Sequence, residues 1–409
     1  MLNSISITKS KATWIVFFSF MFALFLDSMY AYFFWSIPFI TPGIVAVFSC
    51  IFVVNNLNYF SFSKKNVIPF LFFFITLLYT KRDQNINGYI GGILPFVGVF
   101  FVFLLKNKYK ARFLETLTKT LSVILGVSLL VWILVQLGVQ MPKTTISYLG
   151  DGTVFTLNNY YVFIEYPDMF DYHRFMSIFI EPGYLGTLLA ILIYINNFEF
   201  KRKEVLIIFL SFIFTFSIAG YLMLAVGYVS FVLKNKNHAI RYLFFSLFIL
   251  TISYNLLFQI NDGKVLNALV ISRLEIDNEK GLSGYNRTDD EMDNMFIQFL
   301  GSKDVLTGIG ERYKHFGSNV GYKPYIIING LIGLLLLLFS YLSGWYFNKR
   351  LFSLTIFIFF IMIFSKGHSE IFWAGYLMIY GTSMFLPQNW REVYVKEKYL
   401  KNSYYRKLN

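Results

Sequence analysis

The sequence predicts an all-α integral membrane protein, with about 12 transmembrane helices and two large outer loops. Of its 409 residues, 56% are hydrophobic and 14% are charged, and the mean hydropathy is +0.56. Soluble domains contain roughly 45–50% apolar and roughly 25% charged residues. The apolar residues here are gathered in long segments separated by charged ones, which is typical of a chain that crosses a bilayer repeatedly. We therefore expect a single polytopic membrane domain over residues 1–409.

Twelve apolar segments are candidate spans. Helices of roughly 17–25 residues cross the hydrocarbon core, so the shorter segments need flanking aromatic residues or protection inside the bundle. Residues 204–233 form either two helices joined by a tight turn or one broken helix. The first segment lacks a small-residue cleavage pattern, which indicates an uncleaved helix. The candidate spans are roughly 13–31, 37–54, 66–80, 88–105, 117–138, 176–196, 204–218, 220–233, 240–258, 324–346, 351–365 and 370–386.

The distribution of basic residues predicts the orientation. If the N-terminus is cytoplasmic and the chain crosses twelve times, 23 of the 36 Lys and Arg residues face the cytoplasm, with only five of the 23 acidic residues. This asymmetry agrees with the positive-inside rule, so we expect both termini in the cytoplasm. The net charge of +13 then reflects topology and attraction to anionic lipids, and we expect no nucleic-acid partner.

Two long polar segments, at about 139–175 and 259–323, fall on the predicted outer side. The cytoplasmic loops are shorter and contain mainly Lys, Arg and Asn. Any chemistry is therefore expected on the outer face. Cytoplasmic nucleotides are absent there, so a substrate must arrive already activated and bound to the membrane.

The first outer loop ends in a charged stretch that leads directly into an apolar segment. Arg174 is followed by Glu181-Pro182-Gly183 and then by residues of membrane-span character. Proline fits the first turn of a helix, and a carboxylate there meets the positive end of the helix dipole. Fixed charges at the edge of the hydrocarbon are costly and are usually kept for a ligand or partner. The stretch predicts a charged site at the membrane surface.

Three groups of residues, in this order along a polytopic chain, carry a resemblance to a known family. Two of the groups belong to the second outer loop and the point where it re-enters the membrane. The groups are Arg174, Ser177, Glu181, Pro182 and Gly186; Arg287 followed by Gly308-Ile-Gly310; and Tyr325-Ile-Ile-Ile-Asn-Gly330-Leu-Ile-Gly333.

With these motifs and this layout, the chain resembles the Wzy-type O-antigen and capsule polymerases of the O-antigen polymerase/ligase superfamily. The resemblance implies a GT-C-like membrane bundle in the bacterial inner membrane. It also implies an enzyme that joins undecaprenyl-pyrophosphate-linked oligosaccharide units at the outer leaflet. Its partners would be these lipid-linked glycans, membrane lipids and a chain-length regulator, and neither a cofactor nor a metal is expected.

The resemblance suggests roles for particular residues. Arg174 and Arg287 are the candidates for binding the pyrophosphate, since a guanidinium offers a planar fork of donors and keeps its charge. The attacking sugar hydroxyl needs a general base, and His315, Glu181 and His173 remain alternatives.

A further set of residues is predicted to bind the substrate, and it includes His173, which is also an alternative for the general base. The residues of this set are Arg312, His173, Tyr325 and Lys323.

Each candidate also has a purely structural alternative. Arg174 can anchor a helix end at the lipid headgroups, and Glu181 can act only as a helix-start carboxylate. Arg287 can pair with Asp289 or Asp290 in a solvated loop. The acidic run 289–293 has the composition of a metal clamp, but acids in an exposed loop are usually solvated.

Other classes of protein remain alternatives. Ligases of the superfamily resemble one another in a His-Asn pair before the Gly-x-x-Gly re-entry, whereas this chain has Ser318-Asn319-Val320 there. A lipid-linked-oligosaccharide flippase or other transporter also suits twelve spans, although its charges would be expected near the midplane of broken helices. An acyltransferase would place charged motifs toward a cytoplasmic acyl donor, and we see none in the sequence.

Overall fold

The computed structural model describes residues 2–36, 40–150, 153–167, 173–234, 276–277, 281–282, 290–310, 321–367 and 373–395. These residues are mostly helical. Three helices are long and apolar enough to cross a membrane, and several shorter helices are apolar as well. The described part of the chain therefore has the character of an all-α membrane protein.

Helices form over eleven of the twelve predicted spans, and the segment 240–258 lies outside the described residues. An additional helix, α9, lies in the second outer loop. That each helix crosses the bilayer stays a prediction. The helices are α1 (Leu2–Ser28), α2 (Ile40–Asn55), α3 (Lys64–Thr80), α4 (Ile86–Leu104), α5 (Asn107–Gln136), α6 (Pro182–Ile195), α7 (Lys203–Ile213), α8 (Ile218–Lys234), α9 (Asp290–Leu300), α10 (Tyr322–Tyr346), α11 (Leu351–Lys366) and α12 (Ala374–Ser383).

Helices α6 and α12 form the centre of the bundle. Every residue of α6 except Tyr184 is buried, and so is every residue of α12. Helix α6 packs against α7, α8 and α11. Because α6 begins at Pro182, the Glu181-Pro182 pair marks the start of one of the two central helices.

The segment 204–233 forms two helices, α7 and α8, separated by a short non-helical segment at 214–217. A Cβ atom on Gly186 would collide with Ser217, and one on Gly220 would lie 2.9 Å from the Gly186 carbonyl oxygen. Small residues therefore let α6 approach the start of α8 closely, which is the packing role that such residues have between membrane helices.

The first outer loop contains a small antiparallel sheet that the sequence analysis did not predict. It consists of β1 (Thr144–Gly150), β2 (Thr153–Asn159) and β3 (Ile164–Glu165). Beneath the sheet, Leu157 and Met176 form an apolar cluster. The second outer loop contributes two-residue strands, β4 (Ile276–Asp277) and β5 (Gly281–Leu282).

The connections between helices gather at two opposite ends of the bundle. At one end, Ala31 pairs with Phe179, and the Gly375 N–H donates to the Ser28 hydroxyl over 2.7 Å. At the other end, Phe60 pairs with Leu105. We call the first the outer end and the second the inner end, after the predicted orientation. Which end faces the cytoplasm stays a prediction that rests on charge.

Candidate functional site

An open cavity of about 770 Å³ lies at the outer end, between α1, α2, α3, α4, α10, α12 and β1. Ligand pockets typically measure about 300–1,000 Å³ and combine apolar walls with a few polar groups. The aromatic side chains of this wall are Tyr30, Phe34, Trp35, Phe96, Tyr148, Tyr325 and Trp373. Its charged and amide side chains are Asp27, Lys81, Gln84 and Asn329.

The wall contributed by α10 is interrupted at Gly330, where φ is 66° and ψ is −175°. The backbone groups released by this break pair with the segment 305–309. The Leu331 N–H donates to the Val305 carbonyl over 2.9 Å, and the Ile309 N–H donates to the Ile327 carbonyl over 2.9 Å. An interruption in an apolar helix is tolerated only where its backbone groups find such partners.

Glycine is required on both sides of this contact. Gly308 and Gly330 both have positive φ, and a Cβ atom on either would collide with the backbone of the other segment. The two glycine motifs singled out in the sequence therefore contact each other. Arg82 holds the same segment against α3, because its Nη2 donates to the Thr307 carbonyl over 2.6 Å and its Nη1 donates to the Tyr79 carbonyl over 2.9 Å.

The break places Asn329 in the cavity wall with an unsatisfied acceptor. Asn329 is 4% exposed, and its Nδ2 donates to the Tyr325 carbonyl over 3.1 Å. Its Oδ1 has no hydrogen-bond partner among the described residues. Buried amide oxygens are nearly always hydrogen-bonded in folded proteins. The oxygen is enclosed, so a ligand hydroxyl would supply the missing donor only after a local movement of the cavity wall.

Lys81, which follows α3, is the one Lys or Arg in the described part of the cavity wall. Its side chain lies across α4, where a Cβ atom on Gly92 would be 3.2 Å from Lys81 Cε. Burial lowers the pKa of Lys81 below its usual value of 10.5. Burial therefore makes the charged form of this ammonium less favourable, and an anionic ligand group beside it would offset that cost.

The side chains of Glu181 and Lys366 both approach Gly183. A Cβ atom on that glycine would be 2.7 Å from Glu181 Oε1 and 3.2 Å from Lys366 Nζ. Burial, with a further contribution from Glu181, raises the pKa of the neighbouring Tyr166 to about 12. Glu181 occupies the N-cap position of α6, yet its side chain makes no capping hydrogen bond. The carboxylate is directed toward these side chains instead.

A pair of aromatic rings connects this charged group to the cavity. Lys366 Nζ lies 4.4 Å from the centre of the Tyr184 ring. The Trp373 ring packs edge-to-face on Tyr184 at 4.7 Å between centroids, and Trp373 itself lines the cavity. Glu181 and Lys366 therefore lie just behind the aromatic wall of the cavity.

Arg174 binds backbone carbonyls of the protein. Its Nε donates to Thr215 and its Nη2 to Phe216, each over 2.9 Å. These carbonyls follow the last turn of α7, where acceptors without helical partners attract a cation. The guanidinium was predicted to bind pyrophosphate. In the structure, two of its nitrogens stabilise the segment between α7 and α8.

Two further predicted residues, His173 and Tyr325, have partners within the protein. His173 Nδ1 lies 3.7 Å from Glu165 Oε2, beside a narrow pocket at Pro182. Tyr325 is 1% exposed, and its hydroxyl donates to the Gly333 carbonyl over 3.1 Å.

Lys323 lies at the start of α10 and joins it to the second outer loop. Its Nζ forms a 2.6 Å ion pair with Asp293 Oδ1. The acidic run predicted either as solvated or as a metal clamp thus continues into the first turn of α9, where carboxylates are favoured by the helix dipole.

The remaining predicted site residues, Arg287, Arg312 and His315, lie outside the described residues. The convergence of Arg174 and Arg287 on one cavity stays a prediction. Likewise, the choice of general base between His315, Glu181 and His173 is unchanged by the structure.

Several residues of the site were not singled out from the sequence as candidates. Lys81 and Arg82 had a signal, since two adjacent cations in a short outer loop run against the predicted charge asymmetry. Asn329 had another, because it is an amide within an apolar run and precedes a glycine. Lys366 and Trp373 had no distinctive local pattern.

Comparison with known proteins adds no name to this arrangement. No family model, curated protein or solved structure matches the chain.

Proposed function

We propose that this protein is a Wzy-type polymerase, which joins oligosaccharide units carried on undecaprenyl pyrophosphate at the outer face of the bacterial inner membrane. The observation that carries the proposal is the cavity at the outer end, with its aromatic walls, the buried Asn329 Oδ1 without a partner, and Lys81. Aromatic rings pack on the C–H faces of sugars, and an amide oxygen accepts from a sugar hydroxyl. An ammonium suits a phosphate or an acidic sugar.

The reaction is a glycosyl transfer between two lipid-linked chains. A hydroxyl oxygen of the acceptor sugar forms a bond to the anomeric carbon of the donor while the bond from that carbon to the pyrophosphate oxygen breaks. The electron pair of the broken bond leaves with the lipid pyrophosphate. The hydroxyl proton passes to a general base, for which Glu181, just behind the aromatic wall, is one of the candidates.

Cationic side chains stabilise the departing pyrophosphate in this proposal. Arg287 is the arginine assigned to it, and Lys81 and Lys366 add positive charge beside the described cavity. Part of the role of Arg174 is structural, because its side chain holds the segment 214–217 in place near the start of α6. A cation whose contact strengthens in the transition state contributes about 2–4 kcal/mol, or roughly 30- to 1000-fold in rate.

The proposal is tested by deleting the gene from the source cell. The deletion strain should keep single repeat units on its surface carrier and lose the ladder of longer chains. The wild-type gene and Val47→Ala should restore the ladder, since Val47 is 64% exposed on α2, whereas Trp373→Ala should not. A full ladder in the deletion strain would exclude the proposed activity.

A lipid-linked-oligosaccharide flippase is the second candidate, because two interruptions of apolar helices favour it. One lies within α10 at Gly330, and the other separates α7 from α8. Discontinuous helices are common at transporter binding sites. The deletion strain distinguishes the two functions: loss of a polymerase leaves single repeat units on the outer leaflet, whereas loss of a flippase leaves them on the cytoplasmic leaflet.

A further inference from the structure

A second concave surface runs along the side of the bundle between α1 and α5. It has a volume of about 390 Å³, and its lining is mostly apolar. Trp14 and Ile15 lie toward its inner end, and Leu26 and Phe34 toward its outer end. We call this surface the α1–α5 groove.

The groove and the cavity share a residue. Phe34 lines the outer end of the α1–α5 groove and also the wall of the aromatic cavity. The helical part of the groove, from Trp14 to Leu26, measures about 18 Å at about 1.5 Å per residue. The apolar groove along the side of the bundle therefore ends at Phe34, on whose other side lies the cavity with its polar groups.

Packing between the two helices closes the floor and the inner end of the groove. The Phe18 ring packs on Phe113 with centroids 5.5 Å apart, and the Trp14 ring stacks on Tyr109 at 5.7 Å. The guanidinium of Arg112 lies 4.8 Å from the centre of the Trp14 ring. An apolar chain entering from the outer end would stop at this group.

Helix α5 contributes the polar side chains of Thr116 and Thr120 to the groove. Thr116 is already hydrogen-bonded within its own helix. Its Oγ1 donates to the Arg112 carbonyl over 2.8 Å, so its hydroxyl needs no partner from an occupant. Apart from the hydroxyl-bearing residues Ser19, Thr116 and Thr120, the lining of the groove is aromatic and aliphatic. Its chemistry selects a flexible hydrocarbon chain and not a polar peptide.

We propose that the α1–α5 groove binds the polyprenyl chain of a lipid-linked saccharide whose sugar occupies the aromatic cavity. The inference rests on the proposed function for the nature of the lipid, and it adds where the substrate binds. Continuity at Phe34 is the reason to assign one amphiphile to both surfaces. The chain lies along α1, the pyrophosphate sits at the outer end, and the sugar reaches Lys81 and Asn329.

The test uses geranylgeranyl pyrophosphoryl-N-acetylglucosamine with a diazirine at the far end of its hydrocarbon chain, added to the full-length purified protein. After illumination, cross-linked peptides should map to α1 around Trp14–Phe22 and to α5 around Thr116–Thr120. Excess unlabelled compound should compete, and excess phosphatidylglycerol should not. Equal competition by phosphatidylglycerol would overturn the inference, because the groove would then hold ordinary membrane lipid.

Variants that fill the groove sharpen the test. Ser19→Trp and, on the opposite wall, Thr120→Trp should each lower cross-linking at least tenfold. Val47→Trp, at an exposed position of α2, is the matched control and should cross-link as wild type does. Each variant is first checked for the wild-type elution profile and melting temperature. Substitutions on two walls are used so that the test still stands if one variant does not fold. Wild-type labelling in both folded groove variants would overturn the inference.

This test separates the inference from the proposed function. If polymer forms but the cross-links map elsewhere, the groove assignment fails and the polymerase proposal stands. If the cross-links map to the groove while the wild-type protein makes no polymer, the binding site stands and the polymerase proposal fails.

Discussion

The two ends of the bundle contain the same kinds of side chain in opposite arrangements. At the inner end, Glu115 Oε2 accepts from Arg202 Nη2 over 2.9 Å and from Arg391 Nε over 3.3 Å. Arg391 Nη1 in turn donates to Glu199 Oε2 over 2.9 Å. These ion pairs tie the segment that follows α12 to α5, although Arg202 Nε has no hydrogen-bond partner among the described residues.

At the outer end the polar groups surround an open space. Lys81 and Asn329 face the cavity, and the Asn329 Oδ1 has no partner among the described residues. A buried group satisfied by its neighbours stabilises a fold, whereas one left toward a cavity lowers stability until a ligand binds. The buried Asn197 Oδ1 near the inner end also lacks a partner among the described residues. What distinguishes the outer end is the cavity that its polar groups line, and this assigns that end to binding.

The largest predicted effect breaks the inner network. Glu115→Ala removes the carboxylate that accepts from the buried Arg202 over 2.9 Å and leaves only Glu204, 3.8 Å from Arg202 Nε. This should lower the free energy of unfolding by about 3–5 kcal/mol. Chemical denaturation of the purified protein in detergent measures it. Molecules that remain folded should still polymerise at the wild-type rate. Glu392→Ala, at an exposed position of the same end, is the control and should be nearly neutral. A wild-type unfolding curve for Glu115→Ala would contradict a structural role for this network.

A smaller loss of stability, combined with loss of function, is expected at the α10 break. Gly330→Ala forces a side chain into a positive-φ conformation and against the Leu306 carbonyl. The cost should be about 1–3 kcal/mol, and the distorted cavity wall should abolish polymer formation. Gly43→Ala has open space around its Cβ in α2 and should match or slightly exceed wild-type stability. Unchanged ladders from Gly330→Ala would show that the break has no part in the site.

Lys81 should affect binding without affecting the fold. Lys81→Ala removes a cation from the cavity and should weaken apparent affinity for the lipid-linked donor by about 1.5–3 kcal/mol, the contribution of a charged hydrogen bond. A thermal melt should barely change.

The same residue gives a pH dependence of known sign. Lysine binds an anion only while protonated, and burial lowers the pKa of Lys81. Donor affinity should therefore fall as pH rises, beginning below the usual lysine value of 10.5. Lys81→Arg should move this loss to higher pH, because arginine keeps its charge. An identical pH profile for both proteins would remove Lys81 from the binding site.

The smallest effect is expected from chelation. If cationic side chains stabilise the pyrophosphate, purified protein should elongate lipid-linked repeat units equally well with and without EDTA. Activity that vanished in EDTA and returned with magnesium would direct attention to the acids around Asp290.

Local pattern was sufficient for the helices and for some features of the site. Apolar length predicts α10 directly, and the Glu181-Pro182 pair predicts the start of α6, which begins at Pro182. Gly330 was singled out as part of a re-entry motif, and it interrupts α10. Such features are readable because a single segment of chain determines them.

The cavity was not predictable from the sequence, since it combines residues from elements far apart in the chain. Tyr148 comes from a sheet inside a polar loop whose alternating pattern was not recognised as strands. Arg174 is a further example, because the carbonyls of Thr215 and Phe216 become acceptors for its guanidinium only through packing. Its role in binding pyrophosphate stays a prediction. In both cases the contacts arise from tertiary packing, which no local sequence pattern shows.

The contrast between the two ends is tested most directly by a matched pair of buried asparagines. Asn196, at the inner end, accepts from Arg202 Nη1 over 2.7 Å, whereas Asn329 lines the cavity and its Oδ1 has no partner among the described residues. For each Asn→Leu variant, the melting temperature and the rate of polymer formation per folded molecule are measured together. Asn196→Leu should lower the melting temperature and keep the rate, while Asn329→Leu should keep the melting temperature and lower the rate at least tenfold. Loss of stability without loss of rate in Asn329→Leu would contradict a binding site at the outer end.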